Sequence, residues 1–332
     1  MALLRRTLSF VSSFIFSAGD STLHDPNLNC SIRETQDLEV KTIIDHFLRE
    51  TSYETPKVTF DINRLKKAIL DEISTWNDPR YGSLLYERIA DHAAGIVECS
   101  YVNHTFDAKL QFGLYSWSVI LIDDLSKRMP SAITEFQQRI LLNQPQVDPA
   151  LDRFPQILNN LYLHWDPVCA NMMVCSAYDF IVGTILEDRR MVPHQAAIHW
   201  PKFLRLKSGV ANAYALATFP KDRHPDLSVY VQALPDMSDF INFVNDILSF
   251  YKEDLTGDDM NYVGFSARLS GKTSLQVVSE LIEEVVQSHR RIVDILADQP
   301  ETLKWWLTFE QGYIAWHLSS CRYKLSEIGL HM

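Results

Sequence analysis

The nonapeptide Asn245–Glu253, with the sequence NDILSFYKE, is the most informative stretch of this chain. It places an amide, a hydroxyl and a carboxylate at i, i+4 and i+8, on Asn245, Ser249 and Glu253. On an α-helix these three side chains fall along one face, successive ones about 6 Å apart along the axis. All three present oxygen, which is the ligand atom that a hard cation such as Mg²⁺ requires. Because Lys252 adds a positive charge beside them, the nonapeptide predicts a helix that holds a metal-bridged phosphate.

A second carboxylate site lies upstream. Asp123 and Asp124 close a long apolar run that begins at Leu114. Two adjacent carboxylates at the end of a hydrophobic helix are costly to desolvate unless a positive group meets them. A lone Asp-Asp pair is more often a solvated helix end. Read together with the oxygen stripe formed by Asn245, Ser249 and Glu253, however, it favours a metal site with ligands from two helices. Asp246 adjoins a ligand but points about 100° away around the helix, so we assign it no metal.

The composition excludes several classes of protein. The 332 residues carry a net charge of −11, which argues against non-specific nucleic-acid binding, and they contain no Gly-rich phosphate loop. The five cysteines form no C-x-x-C pair, so we expect buried, reduced thiols and a cytoplasmic protein. Residues 1–20 form an apolar segment, which we expect to lie over the domain; it is too short and serine-interrupted to span a membrane. A targeting role for this segment stays open.

The hydrophobic pattern is helical nearly throughout. Apolar residues at spacings of three and four occupy ten stretches: Ile62–Trp76, Leu84–Val97, Phe106–Leu125, Ile133–Leu142, Ile157–His164, Val168–Leu186, Trp200–Phe219, Val229–Tyr251, Leu275–Leu296 and Trp305–Leu325. Prolines separate most of them, and Pro235 should either kink its helix or mark the true start. The pattern predicts an all-α fold: a single domain, residues 21–332, built as a helical bundle around a central apolar cavity.

With these motifs in place, the chain resembles the class I terpene cyclases, and specifically the trichodiene synthase-like family of fungal sesquiterpene synthases. The class pattern N-x-x-x-S-x-x-x-E, with a basic residue before the Glu, is matched by the nonapeptide residue by residue. The segment Trp316–Glu327 resembles the family's late W-H-L…R-Y-x-L-S-E segment. Arg205, followed four residues later by Gly209, resembles the class's diphosphate sensor and effector.

The resemblance implies roles for particular residues. Magnesium, as three Mg²⁺ ions, would be held by Asp123 on one side and by Asn245, Ser249 and Glu253 on the other. The catalytic residues would be Asp123, Arg205, Arg322 and Tyr323. The diphosphate would be bound by Arg205, Gly209, Lys252, Arg322 and Tyr323, and Asp124 would pair with Arg322 when the site closes. The third carboxylate of D-D-x-x-D is missing, because Lys127 stands in its place.

Helical spacing supplies four candidate residues for the substrate cavity: Tyr115, Phe180, Tyr313 and Trp316. Ordinary core packing is an equally good explanation of each of these aromatic side chains.

These expectations converge on a Mg²⁺-dependent sesquiterpene synthase. It would ionise farnesyl diphosphate, cyclise the carbocation to a hydrocarbon or alcohol, and release diphosphate. Two alternatives stay open: a non-catalytic isoprenoid-binding helical protein, and an isoprenyl chain-elongating transferase, which normally needs two D-D-x-x-D sites. The expected partner is a small allylic diphosphate, and a homodimer is left open.

Overall fold

The computed structural model of the chain describes residues 26–76 and 78–332, and every regular element within them is helical. The predicted all-α fold class is therefore confirmed. Residues 37–332 form one compact unit, and of the described residues only 26–36 lie outside it. The predicted N-terminal segment, residues 1–20, lies outside the described residues.

Fourteen α-helices are present in this part of the chain. They are α1 (Pro26–Glu50), α2 (Ile62–Ile73), α3 (Leu84–Ser100), α4 (Phe106–Leu125), α5 (Pro130–Leu141), α6 (Pro149–Asp152), α7 (Phe154–His164), α8 (Pro167–Asp188), α9 (Trp200–Ser208), α10 (Ala211–Ala217), α11 (Leu234–Thr256), α12 (Tyr262–Ser270), α13 (Ser274–Ile295) and α14 (Pro300–Ser319).

Side-chain caps explain where several helices begin. The Thr105 side chain accepts a hydrogen bond from the backbone N–H of Ala108 and starts α4, and Thr273 forms a capping box with Gln276 at the start of α13. Each cap satisfies a backbone donor that the first helical turn leaves without a partner. Pro235 lies in the first turn of α11, so it marks the start of that helix and introduces no kink.

Three predicted helices have different bounds in the structure. The stretch Trp200–Phe219 is two helices, because Gly209 and Val210 interrupt it and Val210 has a φ of 54°. The stretch Val229–Tyr251 is helical only from Leu234, after two short 3₁₀ turns. The stretch Trp305–Leu325 ends at Ser319, where the next residue is extended. Three helices, α1, α6 and α12, were not predicted at all.

The helices that carry the predicted site residues pack against several neighbouring helices. Helix α11 contacts α10 and α13, and α3 contacts both α4 and α14. By length and composition alone, α8 could cross a membrane; half of its apolar window is buried, and it packs against α5, α7, α9 and α10. Contacts with four other helices are expected of an inner helix of a bundle.

The cysteines only partly follow the prediction of buried thiols. All four whose side chains the structure describes are free; Cys99 and Cys169 are buried, whereas Cys175 and Cys321 are exposed. Exposure of the last two follows from their places on the outer face of α8 and in the turn after α14.

Gly312 allows α14 to approach α3 closely. A Cβ at this position would lie 1.9 Å from the Cys99 carbonyl oxygen. Because backbone cannot move as a side chain can, we expect Gly312→Ala to lower the free energy of unfolding by roughly 2 kcal/mol or more. Chemical denaturation measures the change.

Gly113→Ala is the matched control, since its Cβ would meet only the end of the Ile69 side chain, at 2.9 Å. It should cost less, because Ile69 can change rotamer. Equal stability losses in the two variants would contradict the proposed backbone contact.

Candidate active site

The side chains of Asn245, Ser249 and Glu253, called here the α11 stripe, lie at the mouth of a cavity. Asn245, Ser249 and Glu253 all line this opening. Ser249 is 2 % exposed, and its hydroxyl has no hydrogen-bond partner within the described part of the chain. The Glu253 carboxylate accepts a hydrogen bond from Asn261 Nδ2 at 2.7 Å. Three oxygen-bearing side chains thus share one face of α11, and the hydroxyl of the central one, Ser249, has no partner among the described residues.

The aspartate pair lies at the C-terminal end of α4, and Asp123 lines the same cavity. The Asp123 side chain is 53 % exposed and that of Asp124 is 17 % exposed. Arg322 contacts both: Nη2 donates to Asp123 at 2.8 Å, and Nη1 donates to Asp124 at 3.1 Å. The predicted pairing of Asp124 with Arg322 is therefore present, but Arg322 also engages Asp123. The exposure difference leaves Asp123 as the carboxylate that faces the opening.

The end of α14 explains how Arg322 reaches α4. Because the helix stops at Ser319, Arg322 and Tyr323 lie in a turn that folds back over the site. The ring of Tyr323 is buried, and Lys252 Nζ lies 5.7 Å from its centroid. Four of the predicted diphosphate donors, Arg205, Lys252, Arg322 and Tyr323, line the same cavity.

Arg205 connects α9 to α11. Its Nε donates to Asp246 at 3.0 Å, and its Nη2 donates to the Asn242 carbonyl at 3.0 Å and to Asn245 Oδ1 at 2.9 Å. Burial raises the pKa of Asp246 to about 6, with the Arg205 guanidinium acting in the opposite direction. Asp246, to which we assigned no metal, thus holds the Arg205 guanidinium in place, and Arg205 lines the cavity.

Gly209 allows α9 and α11 to lie this close. A Cβ on Gly209 would lie 1.8 Å from Asn242 Oδ1, so only glycine fits without displacing Asn242. On the other side, Gly183 of α8 lies against the Ser208 backbone, where a Cβ would approach its nitrogen to 2.6 Å. Two close contacts therefore fix this end of α9: one between Gly209 and the Asn242 side chain, and one between Gly183 and the Ser208 backbone.

The cavity itself has a volume of about 340 Å³. Beneath the charged mouth, its walls include Phe180, Tyr313 and Trp316, three of the four aromatic residues predicted to line it. The fourth, Tyr115, does not reach it: the ring is fully buried and stacks on Phe112 with centroids 5.2 Å apart. Core packing is therefore the role that the structure gives to Tyr115. Tyr214 of α10 also lines the cavity and was not predicted.

Two further polar residues of the site were not found from the sequence. Glu187, near the end of α8, lines the cavity; burial raises its pKa to about 7, against the opposing effects of Ser208 and Arg205. His317 of α14 is fully buried behind Asn245 and contacts its amide. Neither stands at a recognisable spacing from the nonapeptide, so only the packing of helices brings them there.

The residues present fit a divalent cation in the type of their ligand atoms. The amide, hydroxyl and carboxylate of the stripe supply oxygen, and the buried Ser249 hydroxyl lacks any other partner among described residues. Within residues 26–76 and 78–332, no cluster of three or more His, Cys, Asp or Glu side chains is arranged to hold a metal. The stripe is a different kind of site, because Asn and Ser provide two of its three oxygens.

The fold and this site define an all-α terpene synthase. A linalool/nerolidol synthase from Streptomyces clavuligerus has the same fold: its structure covers 80% of this chain and 98% of its own, with a TM-score of 0.60 at 18% identity. Residues 86–331 match the family model described as trichodiene synthase.

The chain belongs to the trichodiene synthase family. Terpene synthase BipA from Cochliobolus sativus is 34% identical over 290 residues, which is 86% of this chain and 89% of that protein. Longiborneol synthase CLM1 from Gibberella zeae is 30% identical over 68% of this chain and 69% of its own length. The family resemblance seen in the motifs is confirmed, and the chain is a terpene cyclase enzyme.

The raised pKa of Glu187 gives a prediction for stability against pH. Relative to the unfolded chain, the folded protein favours the protonated carboxyl, so this group's contribution to stability is lost as pH rises through about 7. Glu187→Gln cannot ionise, and the variant should gain stability relative to the wild type between pH 5 and pH 8. Since one pKa unit corresponds to ~1.4 kcal/mol, we expect a relative gain above ~1 kcal/mol.

Denaturation midpoints of the two proteins across that pH range measure this gain. Glu283→Gln, a change on the exposed face of α13, is the control and should show no such trend. A constant stability difference between wild type and Glu187→Gln at all pH values would contradict the assignment.

Proposed function

We propose that this chain is a Mg²⁺-dependent sesquiterpene synthase that ionises farnesyl diphosphate, cyclises the resulting carbocation and releases diphosphate. The observation that carries the proposal is the pairing at one cavity mouth of the α11 oxygen stripe with Asp123 and a set of cationic side chains. Below that mouth the walls are apolar and aromatic. A charged entrance over an apolar interior suits a substrate with an anionic head and a hydrocarbon tail.

The charged entrance accounts for ionisation. Bound Mg²⁺, held by Asp123 and by Asn245, Ser249 and Glu253, would act as a Lewis acid that neutralises the leaving diphosphate. Arg205, Lys252, Arg322 and Tyr323 would donate charge-assisted hydrogen bonds to the phosphate oxygens. Asp246 keeps Arg205 in place for this task, with its carboxylate 3.0 Å from the guanidinium Nε.

Arg322 has two sets of partners in this proposal. In the structure Arg322 donates to both Asp123 and Asp124, so it connects the end of α4 with the turn after α14. A guanidinium has five donors in a fixed plane, and can therefore hold carboxylates while it donates to a phosphate oxygen. The same residue would thus hold the mouth of the cavity closed and bind the leaving group.

The apolar interior accounts for cyclisation. After diphosphate leaves, the carbocation must be kept from water and held in a folded conformation. The faces of Phe180, Tyr214, Tyr313 and Trp316 surround that space, and each aromatic face stabilises a cation by about 0.5–2 kcal/mol. The volume of about 340 Å³ lies in the range of small-molecule sites, ~300–1,000 Å³.

Product analysis tests the proposal directly. Purified protein is incubated with Mg²⁺ and farnesyl diphosphate, and volatile products are identified by mass spectrometry; we expect a cyclic C15 hydrocarbon or alcohol. Relatives include proteins named (E)-beta farnesene synthase and monoterpene synthase 25, so geranyl diphosphate is a necessary parallel substrate. A longer diphosphate formed with isopentenyl diphosphate, or no product from any allylic diphosphate, would contradict the proposal.

Two variants connect that activity to the stripe. Asn245→Leu and Glu253→Ala each remove an oxygen ligand, and we expect turnover to fall by about 10²-fold or more while the fold is kept. Glu283→Ala makes the same change as Glu253→Ala on an exposed face of α13 and should leave turnover unchanged. Near-normal rates in both stripe variants would show that the metal lies elsewhere.

A further inference from the structure

We propose that His317 is a positioning residue that fixes the orientation of the Asn245 amide, so that its oxygen faces the metal. The inference rests on the proposed function, because it assigns Asn245 to a metal site. It concerns a residue behind the cavity: His317 is fully buried and is not part of the cavity wall. It would act on the reaction only through Asn245.

The proton position on His317 follows from its partners. The ring Nδ1 lies 2.8 Å from the backbone carbonyl oxygen of Tyr313, one turn earlier on α14. A carbonyl can only accept, so Nδ1 carries the proton. In the Nδ1–H tautomer the other ring nitrogen, Nε2, has a lone pair, and the Asn245 amide lies 3.2 Å from it. The backbone of α14 thus makes Nε2 an acceptor.

That acceptor determines which end of the Asn245 amide turns toward it. Asn245 Nδ2 lies 3.2 Å from His317 Nε2 and 3.4 Å from the Tyr323 hydroxyl. On the opposite side, Asn245 Oδ1 accepts from Arg205 Nη2 at 2.9 Å. One end of the amide is therefore held by an acceptor on α14, and the other by a donor on α9.

Reversing the amide would break both contacts at once. Asn245 Oδ1 would then face the lone pair of His317 Nε2, and Nδ2 would face the donors of Arg205. An amide nitrogen is not a ligand for Mg²⁺, which takes oxygen. With the observed orientation, the oxygen lies on the Arg205 side, and Arg205 lines the cavity. His317 therefore presets the ligand atom of Asn245 before any ion binds.

Arg205 alone would not fix the orientation of the Asn245 amide equally well. It also donates to Asp246 and to the Asn242 carbonyl, and in the proposed function it donates to the diphosphate as well. If Arg205 turns toward the diphosphate, its hold on Asn245 Oδ1 weakens. The His317 contact is independent of the substrate, since the ring is buried and held by its own helix.

The protonation of His317 can be read in the unaltered protein. ¹⁵N-histidine labelling distinguishes a protonated Nδ1 from a bare Nε2 by nitrogen chemical shift, and His317→Gln assigns the signal by its loss. We expect the Nδ1–H tautomer with an unprotonated Nε2. A proton on Nε2 would overturn the inference, because that nitrogen could then not accept from Asn245.

Metal binding is tested with inorganic diphosphate as the probe. Titration calorimetry at a series of Mg²⁺ concentrations gives the Mg²⁺ level for half-maximal diphosphate binding. His317→Leu removes the acceptor, and we expect that level to rise about tenfold or more, as for other residues that orient metal ligands. His317→Gln can still accept with its oxygen and donate with its nitrogen, so it should stay within about threefold of the wild type.

His104→Leu is the control for losing a partly buried, hydrogen-bonded histidine away from the cavity. His104 Nε2 contacts the Ala217 carbonyl at 2.8 Å beside the start of α4, at the other end of that helix from Asp123. It should lower the melting temperature without changing the Mg²⁺ requirement. An unchanged requirement in a folded His317→Leu, or an equal rise in His104→Leu, would overturn the inference. A wild type that binds no diphosphate with Mg²⁺ would instead defeat the proposed function on which it rests.

Discussion

The contact between the Arg205 guanidinium and α11 is the interaction on which the rest of the site depends. Three oxygens of α11, from Asp246, Asn242 and Asn245, accept from this one side chain at 2.9–3.0 Å. A cation placed among apolar helices is stable only when charge and hydrogen bonds meet it from the protein. Once Asp246 supplies that charge, the oxygen stripe and the cation lie on the same side of the cavity.

Interrupted helices place the charged groups at the mouth and leave the walls apolar. A continuous helix through residues 200–219 would continue past Gly209 without the turn at Val210. A continuous helix through residue 325 would carry Arg322 along α14 and away from Asp123 and Asp124. The long helices α4, α11 and α14 supply the walls, whereas helix ends and breaks bring the charged side chains together. Close glycine contacts and a strained Val210 are the local consequences of this arrangement.

Much of this site could be predicted because its main motif is local. The stripe needs only the period of one helix, so Asn245, Ser249 and Glu253 are visible in the sequence. For Asp246 the sequence showed only that its side chain points about 100° away from the stripe around the helix. Its ion pair with Arg205 could not be predicted, because Arg205 comes from another helix. Glu187 has no local signal. His317 stands in the W-H-L segment, but its contact with Asn245 depends on how α14 packs against α11. The end of α14 was missed because Tyr323 and Leu325 are buried apolar residues beyond Ser319, although the chain that carries them to the core is a turn and not an α-helix.

The central claim is that two helices, α4 and α11, hold a metal-bridged diphosphate between them. Anomalous scattering from crystals grown with Mn²⁺ and inorganic diphosphate tests this most directly. We predict anomalous peaks within coordination distance of Asn245, Ser249 and Glu253, and a further peak at Asp123, with diphosphate bound between them. Diphosphate found at another cavity, or Mn²⁺ bound with no contact to the α11 stripe, would contradict the account.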